Sequence, residues 1–338
     1  IANIDPCVKI GQYLLTCNWS KGYTVKIMVY HSRQILLLRH AQEKYLDHVL
    51  KRKDEKACLQ DAVVQQVIDT TSDNNIIFIV VATPVEEVGR DHDFDWAIIE
   101  PSSYRSIIQL SGRVLRHRIC KKNINVPNIA VMQFNIKGVK AEKGLAFIHP
   151  GYESKLHHLQ SHDIMKLINV ENFKTRIDAI PRIQKNVELH PEQKLIDLEQ
   201  QTMADFNNKQ GVGPATCNGW QNEWWWMTAV PQKCNRFREQ TIDTLMLYAV
   251  YCQGNVTFCE YDEREKIYQP RDQTLGIQSF DADDTMKKRL WLSRNYIHLL
   301  RQHISNTDIE DEEKELERIS KRFGEVAIPD KNNHQWYY

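Results

Sequence analysis

A short apolar run, Ile76–Val81, gives way abruptly to Ala82-Thr83-Pro84. That junction constrains the fold more than any other feature of the chain. An unbroken run rich in β-branched residues reads as a strand buried on both faces, as in a parallel sheet covered by helices. Proline cannot extend a sheet interior, so the strand must pass into a loop there. A second apolar run, Trp96–Ile99, follows, and then a helical stretch carrying Gln109, Gly112, Arg113 and Arg116. Strand, loop, strand, loop, helix, with polar residues at the strand ends, is how open α/β sheets build a ligand crevice. The polar residues here are Thr83, Gly89, Asp91, Gln109, Arg113 and Arg116.

The flanking sequence continues this pattern. Thr24–Tyr30 reads as a buried strand with His31-Ser32-Arg33 at its C-terminal end. Ile35–Lys53 has apolar residues at helical spacing, as does Leu59–Asp69. Asn128–Phe134 is another apolar strand, and the alternation predicts an α/β domain over residues 1–150. Residues 151–200 are less regular and read as a linker. Residues 201–338 read as a mainly helical accessory domain. Its expected elements are helices over Glu239–Cys252, Thr285–Ile304 and Asp308–Phe323, the last a solvated charged helix, with a short strand at Val256–Tyr261.

Composition excludes several classes. Net charge is zero over 338 residues, so nucleic acid could be bound only through a local patch. From Pro101 to Ala141 there is such a patch: Arg105, Arg113, Arg116, Arg118, Lys121, Lys122, Lys137 and Lys140, with no Asp or Glu. Eight cysteines without a C-x-x-C pair fit reduced thiols in a cytoplasmic protein better than a zinc site. No apolar run of about 18 residues offers a membrane span. His149, His157, His158 and His162-Asp163 read as surface or interdomain groups, so no metal site is assigned. Trp220 and Trp224–Trp226 read as packing anchors, although aromatic rings can also stack on single-stranded bases. The phosphate loop G-x-x-x-x-G-K-[ST] does not occur. The acidic pairs Asp54-Glu55, Asp262-Glu263 and Asp311-Glu312 stand in charged surroundings and read as solvated surface.

Two spacings carry a resemblance. T-x(5)-G-x-D at Thr83–Asp91 resembles motif V of superfamily 2 helicases, and Q-x-x-G-R-x-x-R at Gln109–Arg116 resembles their motif VI. With the residues that join them, the stretch is most similar to the CRISPR-associated helicase–nuclease of type I systems, subtype I-F. The resemblance is clear over roughly residues 23–150 and faint beyond. It implies a RecA-like parallel sheet flanked by helices, the second motor domain, with motif IV at His31-Ser32-Arg33. In catalytic roles it places Arg113, Arg116 and Gln109; at the nucleotide, Gly89, Asp91 and Gly112; on DNA, Ser32, Arg33, Thr83 and Pro84.

An arginine delivered across a domain interface neutralises the charge gathered on a transferring phosphoryl group, and guanidinium forks suit planar oxygens. Arg113 and Arg116, three apart on a predicted helix, would point the same way, with Gln109 on that face. Gly112 is expected to allow close backbone approach.

The resemblance further implies ATP and Mg2+ held mainly by a first RecA-like domain in an N-terminal part of the same protein. That part would also carry an HD nuclease with its divalent metal. The chain, starting at Ile1 without Met, reads as a piece of a longer one, inactive alone in ATP hydrolysis and DNA cleavage. The implied activity is 3′ to 5′ unwinding and degradation of invading DNA. The implied partners are single-stranded DNA, a guide-RNA surveillance complex, an adaptation integrase and phage-encoded inhibitors. Two other readings stay open: a different superfamily 2 RNA or DNA helicase, and a non-catalytic nucleic-acid clamp or docking module.

Overall fold

In a computed structural model, Tyr23–Tyr30 (β1) and Asn75–Ala82 (β2) pair in parallel from Tyr23↔Asn75 to Tyr30↔Ala82. The structure describes all residues except 55, 88, 119–125, 141–143, 175, 185, 209–215, 225–227, 229, 231–243, 305–308, 330–335 and 338. The chain forms two compact units. One comprises Ile1–Pro6 and Glu86–Thr241, the other Cys7–Val85 and Ile242–Tyr338.

The second of these units contains β1 and β2. The crossover between them holds helices Leu36–Val49 and Ala62–Thr70, close to the positions their periodicity predicts. Asp61 caps the latter by accepting from the Val63 and Val64 amides, satisfying two groups that the first helical turn leaves without partners. The same unit contains Thr244–Cys252 (β5), Asn255–Asp262 (β6), Ile267–Pro270 (β7) and Glu325–Pro329 (β9), an antiparallel sheet in the order β7-β6-β5-β9. A short parallel pair joins Ile277–Gln278 (β8) to Trp336–Tyr337 (β10).

The accessory region is therefore mixed α/β and not mainly helical. Leu247, Ala249 and Tyr251 are buried at strand spacing on β5 and pack against Leu316 and Ile319 of the helix Ile309–Phe323. That helix is solvated on one side only. The expected long helix over Thr285–Ile304 is two short ones, Asp284–Arg289 and Tyr296–Arg301. Between them Leu290 bridges β1 at Ile27, so sheet pairing displaces helix there.

The other unit contains Ala97–Ile99 (β3) and Ile129–Val131 (β4), again parallel, with the helix Tyr104–Ser111 after β3. Ile99, Tyr104 and Ile107 pack with Phe147, Ile164, Leu195 and Leu198 in one core. The predicted covering on both faces does not hold for β3, where Ile98 is 62% exposed. Parallel strand pairing is present, but in small separate sheets.

Candidate functional site

Ser103 starts the helix Tyr104–Ser111, its Oγ accepting from the Ser106 amide at 3.0 Å. The helix stops at Gly112, one residue before Arg113. Phe94 and Val114 then form a β-bridge, with Phe94 N donating to Arg113 O at 2.8 Å and Leu115 N to Phe94 O at 2.9 Å. Leu115 adopts a left-handed backbone, φ 52°.

Arg113 and Arg116 thus do not share a helical face, contrary to their three-residue spacing. Cross-chain pairing to Phe94 wins over helix continuation, because glycine is a weak helix former at the branch point. Gly112 has an ordinary φ of −67°, and the atoms nearest a side chain there would be the carbonyls of Ile108 and Gln109. The crowding comes from its own helix, so the close-approach argument for Gly112 is not supported.

Even so, Gly89, Asp91, Gln109, Gly112, Arg113 and Arg116 line one open cleft of about 610 Å³. Arg113 is its floor: the side chain is 4% exposed, Nη1 donates to the Arg90 carbonyl, and Nε lies 3.8 Å from Glu86 Oε1. Burial draws the Arg113 pKa below its ordinary value, and Glu86 opposes that shift. His92 Nδ1 stands 2.7 Å from the same Glu86 oxygen. Arg116 is the rim, 40% exposed, with Nε 3.1 Å from Asp91 Oδ1. His117 Nε2 contacts that oxygen at 2.9 Å.

Burial leaves Gln109 Oε1, Glu86 Oε2 and Arg113 Nε without hydrogen-bond partners. Unsatisfied buried polar atoms beside a cleft carry a free-energy cost that a polar ligand can remove. Guanidinium groups at the floor and rim fit the oxygens of a polyphosphate such as ATP. For Mg2+ the fit is poor: among the described residues no group of three or more His, Cys, Asp or Glu side chains comes together.

Asp93 and Glu86 carry no motif signal in the sequence, yet with Arg118 of the positive stretch they organise the site. The Asp93 side chain is 0% exposed and accepts from the amides of Arg116 and His117, each at 3.1 Å. The signal was the alternation Asp91, Asp93, Asp95, which puts acids on one side of an extended segment.

The positive stretch is partly neutralised inside the unit. Arg118 bonds Asp93 and Asp95, and Lys137 donates to the carbonyls of Ile148 and His149. Lys121 and Lys122 lie outside the described residues.

Ser32, Arg33, Thr83 and Pro84 belong to the other unit. The register Tyr30↔Ala82 brings them to the C-terminal ends of two neighbouring parallel strands, where open sheets bind ligands. Thr83 is buried and its amide donates to Tyr30 O at 3.0 Å. Ser32 is exposed, and its carbonyl accepts from Arg39 Nη1 at 2.9 Å.

Of the residues set aside as surface, Asp163 caps the helix Ile164–Leu167, and His162 lies 3.9 Å from Glu153. Trp220 packs on Phe206, but Trp224 is 70% exposed and not a packing anchor.

Residues 1–119 match the model of the C-terminal part of the CRISPR-associated nuclease/helicase Cas3. The chain is 40% identical over 205 residues to the Cas3 of subtype I-F/YPEST from Pseudomonas aeruginosa (strain UCBPP-PA14). That match covers 60% of this chain and 19% of the relative. These matches support a C-terminal portion of a Cas3 of subtype I-F. The Cas3 of the same subtype from Pectobacterium atrosepticum is 30% identical over 352 residues, covering 100% of this chain and 30% of the relative. The chain thus spans less than a third of either Cas3 relative. A T. fusca Cas3 crystal structure with AMPPNP aligns over 97% of this chain and 31% of that chain, at 11% identity and a TM-score of 0.40.

Proposed function

We propose that this chain supplies the C-terminal half of an ATP-dependent translocase acting on single-stranded DNA in CRISPR interference. In this reading residues 1–150 carry the second RecA-like domain and 201–338 an accessory domain; residues 151–200, expected as a linker, share a core with Ile99, Tyr104 and Ile107 through Ile164, Leu195 and Leu198. The observation that carries the reading is the cleft in which Arg113 and Arg116 meet Gln109 and Asp91.

ATP and Mg2+ are bound mainly by the first RecA-like domain of the same protein, and ATP supplies the phosphoryl group that is transferred. Arg116, at the rim, reaches that group when the domains close. Arg113, fixed by Glu86 and the Arg90 carbonyl, holds positive charge behind it. Arginines in this role contribute roughly 10³–10⁵ in rate. Asp91 orients Arg116 through their 3.1 Å contact. Ser32, Arg33, Thr83 and Pro84 hold the DNA backbone without reading bases, as a motor on any sequence requires. Alternating grip of the two domains then moves the strand. Cleavage is the work of an HD nuclease with its divalent metal elsewhere in the protein. The surveillance complex, the adaptation integrase and phage inhibitors are partners of that whole protein, in the cytoplasm.

The test is ATP turnover by the full-length protein with single-stranded DNA or RNA of one sequence. Stimulation by DNA is expected; stimulation by RNA alone would assign the chain to a different helicase class, and no stimulation by either would leave a docking module.

A further inference from the structure

The C-terminal end of β1 carries more positive charge than Arg33 accounts for. Arg294, far away in sequence, has solvent-exposed side-chain surface, yet burial of its guanidinium draws its pKa below the ordinary value, and its Nη1 donates to Gln42 Oε1 at 3.3 Å. Gln42 is buried, and its Nε2 donates to the Val29 carbonyl at 3.0 Å, one residue before β1 ends. The segment bearing Arg294 is pinned to the same strand. Leu290 bridges Ile27 in parallel, and Trp291 N donates to Ile27 O at 3.0 Å. The Trp291 indole donates to Tyr45 OH at 3.1 Å and packs against Phe78. Arg294 is therefore set beside the strand end by sheet pairing and a buried aromatic contact.

His31 stands within reach of both arginines. Burial, Arg294 and Arg33 together hold its pKa down to about 4, so it is neutral at physiological pH. Its Nδ1 accepts from the Arg33 amide at 3.1 Å. The imidazole thus adds no charge to the edge.

The countercharge nearby is already engaged. Glu43 lies 3.7 Å from Arg39 and accepts from Tyr30 OH at 2.9 Å. Among the described residues, neither Arg33 nor Arg294 has a carboxylate at ion-pair distance. A guanidinium offers five N–H donors, and Arg294 makes its hydrogen bond to a neutral amide. Two like charges acting on one buried neutral imidazole repel each other, and an external anion bound beside them offsets that repulsion.

We propose that Arg294 is a phosphate-binding residue for single-stranded DNA, acting with Arg33 at the C-terminal edge of β1 and β2. The proposal rests on the strand-binding role given above to Ser32 and Arg33. It extends the grip to a segment outside the motor motifs, so that the accessory region takes part in holding DNA. The groups present are guanidiniums and a hydroxyl, which suit a phosphodiester backbone and do not select bases.

The experiment is fluorescence anisotropy of the full chain with labelled oligo-dT, oligo-dA and oligo-U across a salt series. The proteins are the unaltered chain, R294A, R294K and R33A, each with its melting temperature. R294A is expected to weaken dT and dA binding alike, about tenfold at low salt. It should also reduce the salt slope by about 0.7, the value of one lost single-strand phosphate contact. R294K should keep most of the slope. Unchanged affinity and slope in R294A with a loss in R33A would overturn the proposal and leave the strand-binding reading standing. No change in either variant would overturn both. Weaker binding with an unchanged slope and a lower melting temperature would give Arg294 a structural role, and a loss confined to oligo-U would assign the edge to RNA; each overturns the proposal.

Discussion

The buried Asp93 carboxylate takes the Arg118 guanidinium on both oxygens, with Nη2 at 2.7 Å from Oδ1 and Nε at 3.1 Å from Oδ2. Its oxygens also accept the Arg116 and His117 amides, so one carboxylate fixes the turn that presents Arg116 to the cleft. Removing one member of a buried pair leaves an uncompensated charge and costs roughly 3–5 kcal/mol. R118A, which strands the buried Asp93, should lose stability on that scale in urea denaturation; D93A leaves Arg118 with Asp95 but removes the acceptor of the Arg116 and His117 amides, and should also destabilise. The double variant should lose clearly less than the sum, since neither charge is then stranded. Additive losses would show that the pair does not act as a unit.

Gly89 has φ 73°, with nothing within 4 Å of where a side chain would start. G89A therefore meets no clash and should lose only the left-handed backbone preference, about 1 kcal/mol. Equilibrium denaturation measures this. A stabilised G89A would contradict the assigned backbone.

His31 gives a pH prediction. Its pKa falls from 6.5 to about 4 on folding, chiefly because burial disfavours the imidazolium. Between these values the unfolded chain binds more protons than the folded one, so stability rises with pH across that window. His31 thus contributes nothing unfavourable above about pH 6.5 and destabilises progressively toward pH 4, by roughly 3 kcal/mol in full. H31Q should flatten that part of the stability curve. NMR titration of the His31 ring with a midpoint near 6.5 would contradict the account.

The elements legible in the sequence were those with a local cause. β1 and β2 lie within a residue of their apolar runs, and the two helices between them follow from periodicity and an Asp cap. What failed depended on distant partners. β5 contains Leu, Met and Ala, which also suit helices, and only pairing with β6 and β9 makes it a strand. The helix read through Arg116 ends at Ser111 because Val114 pairs with Phe94. At the site, the motif spacing found Asp91, Gln109, Arg113 and Arg116, which do share a cleft. It could not show that Arg113 is floor and Arg116 rim, since that difference comes from Glu86 and Asp93.

Arg116 is the residue on which the motor account turns, and its partial exposure makes it replaceable without opening a core. The decisive measurement is DNA-stimulated ATP turnover by the full-length protein carrying R116A, with single-stranded DNA affinity measured in parallel. The account expects turnover to fall by about 10³ or more while DNA affinity is unchanged. Turnover equal to that of the unaltered protein would contradict it.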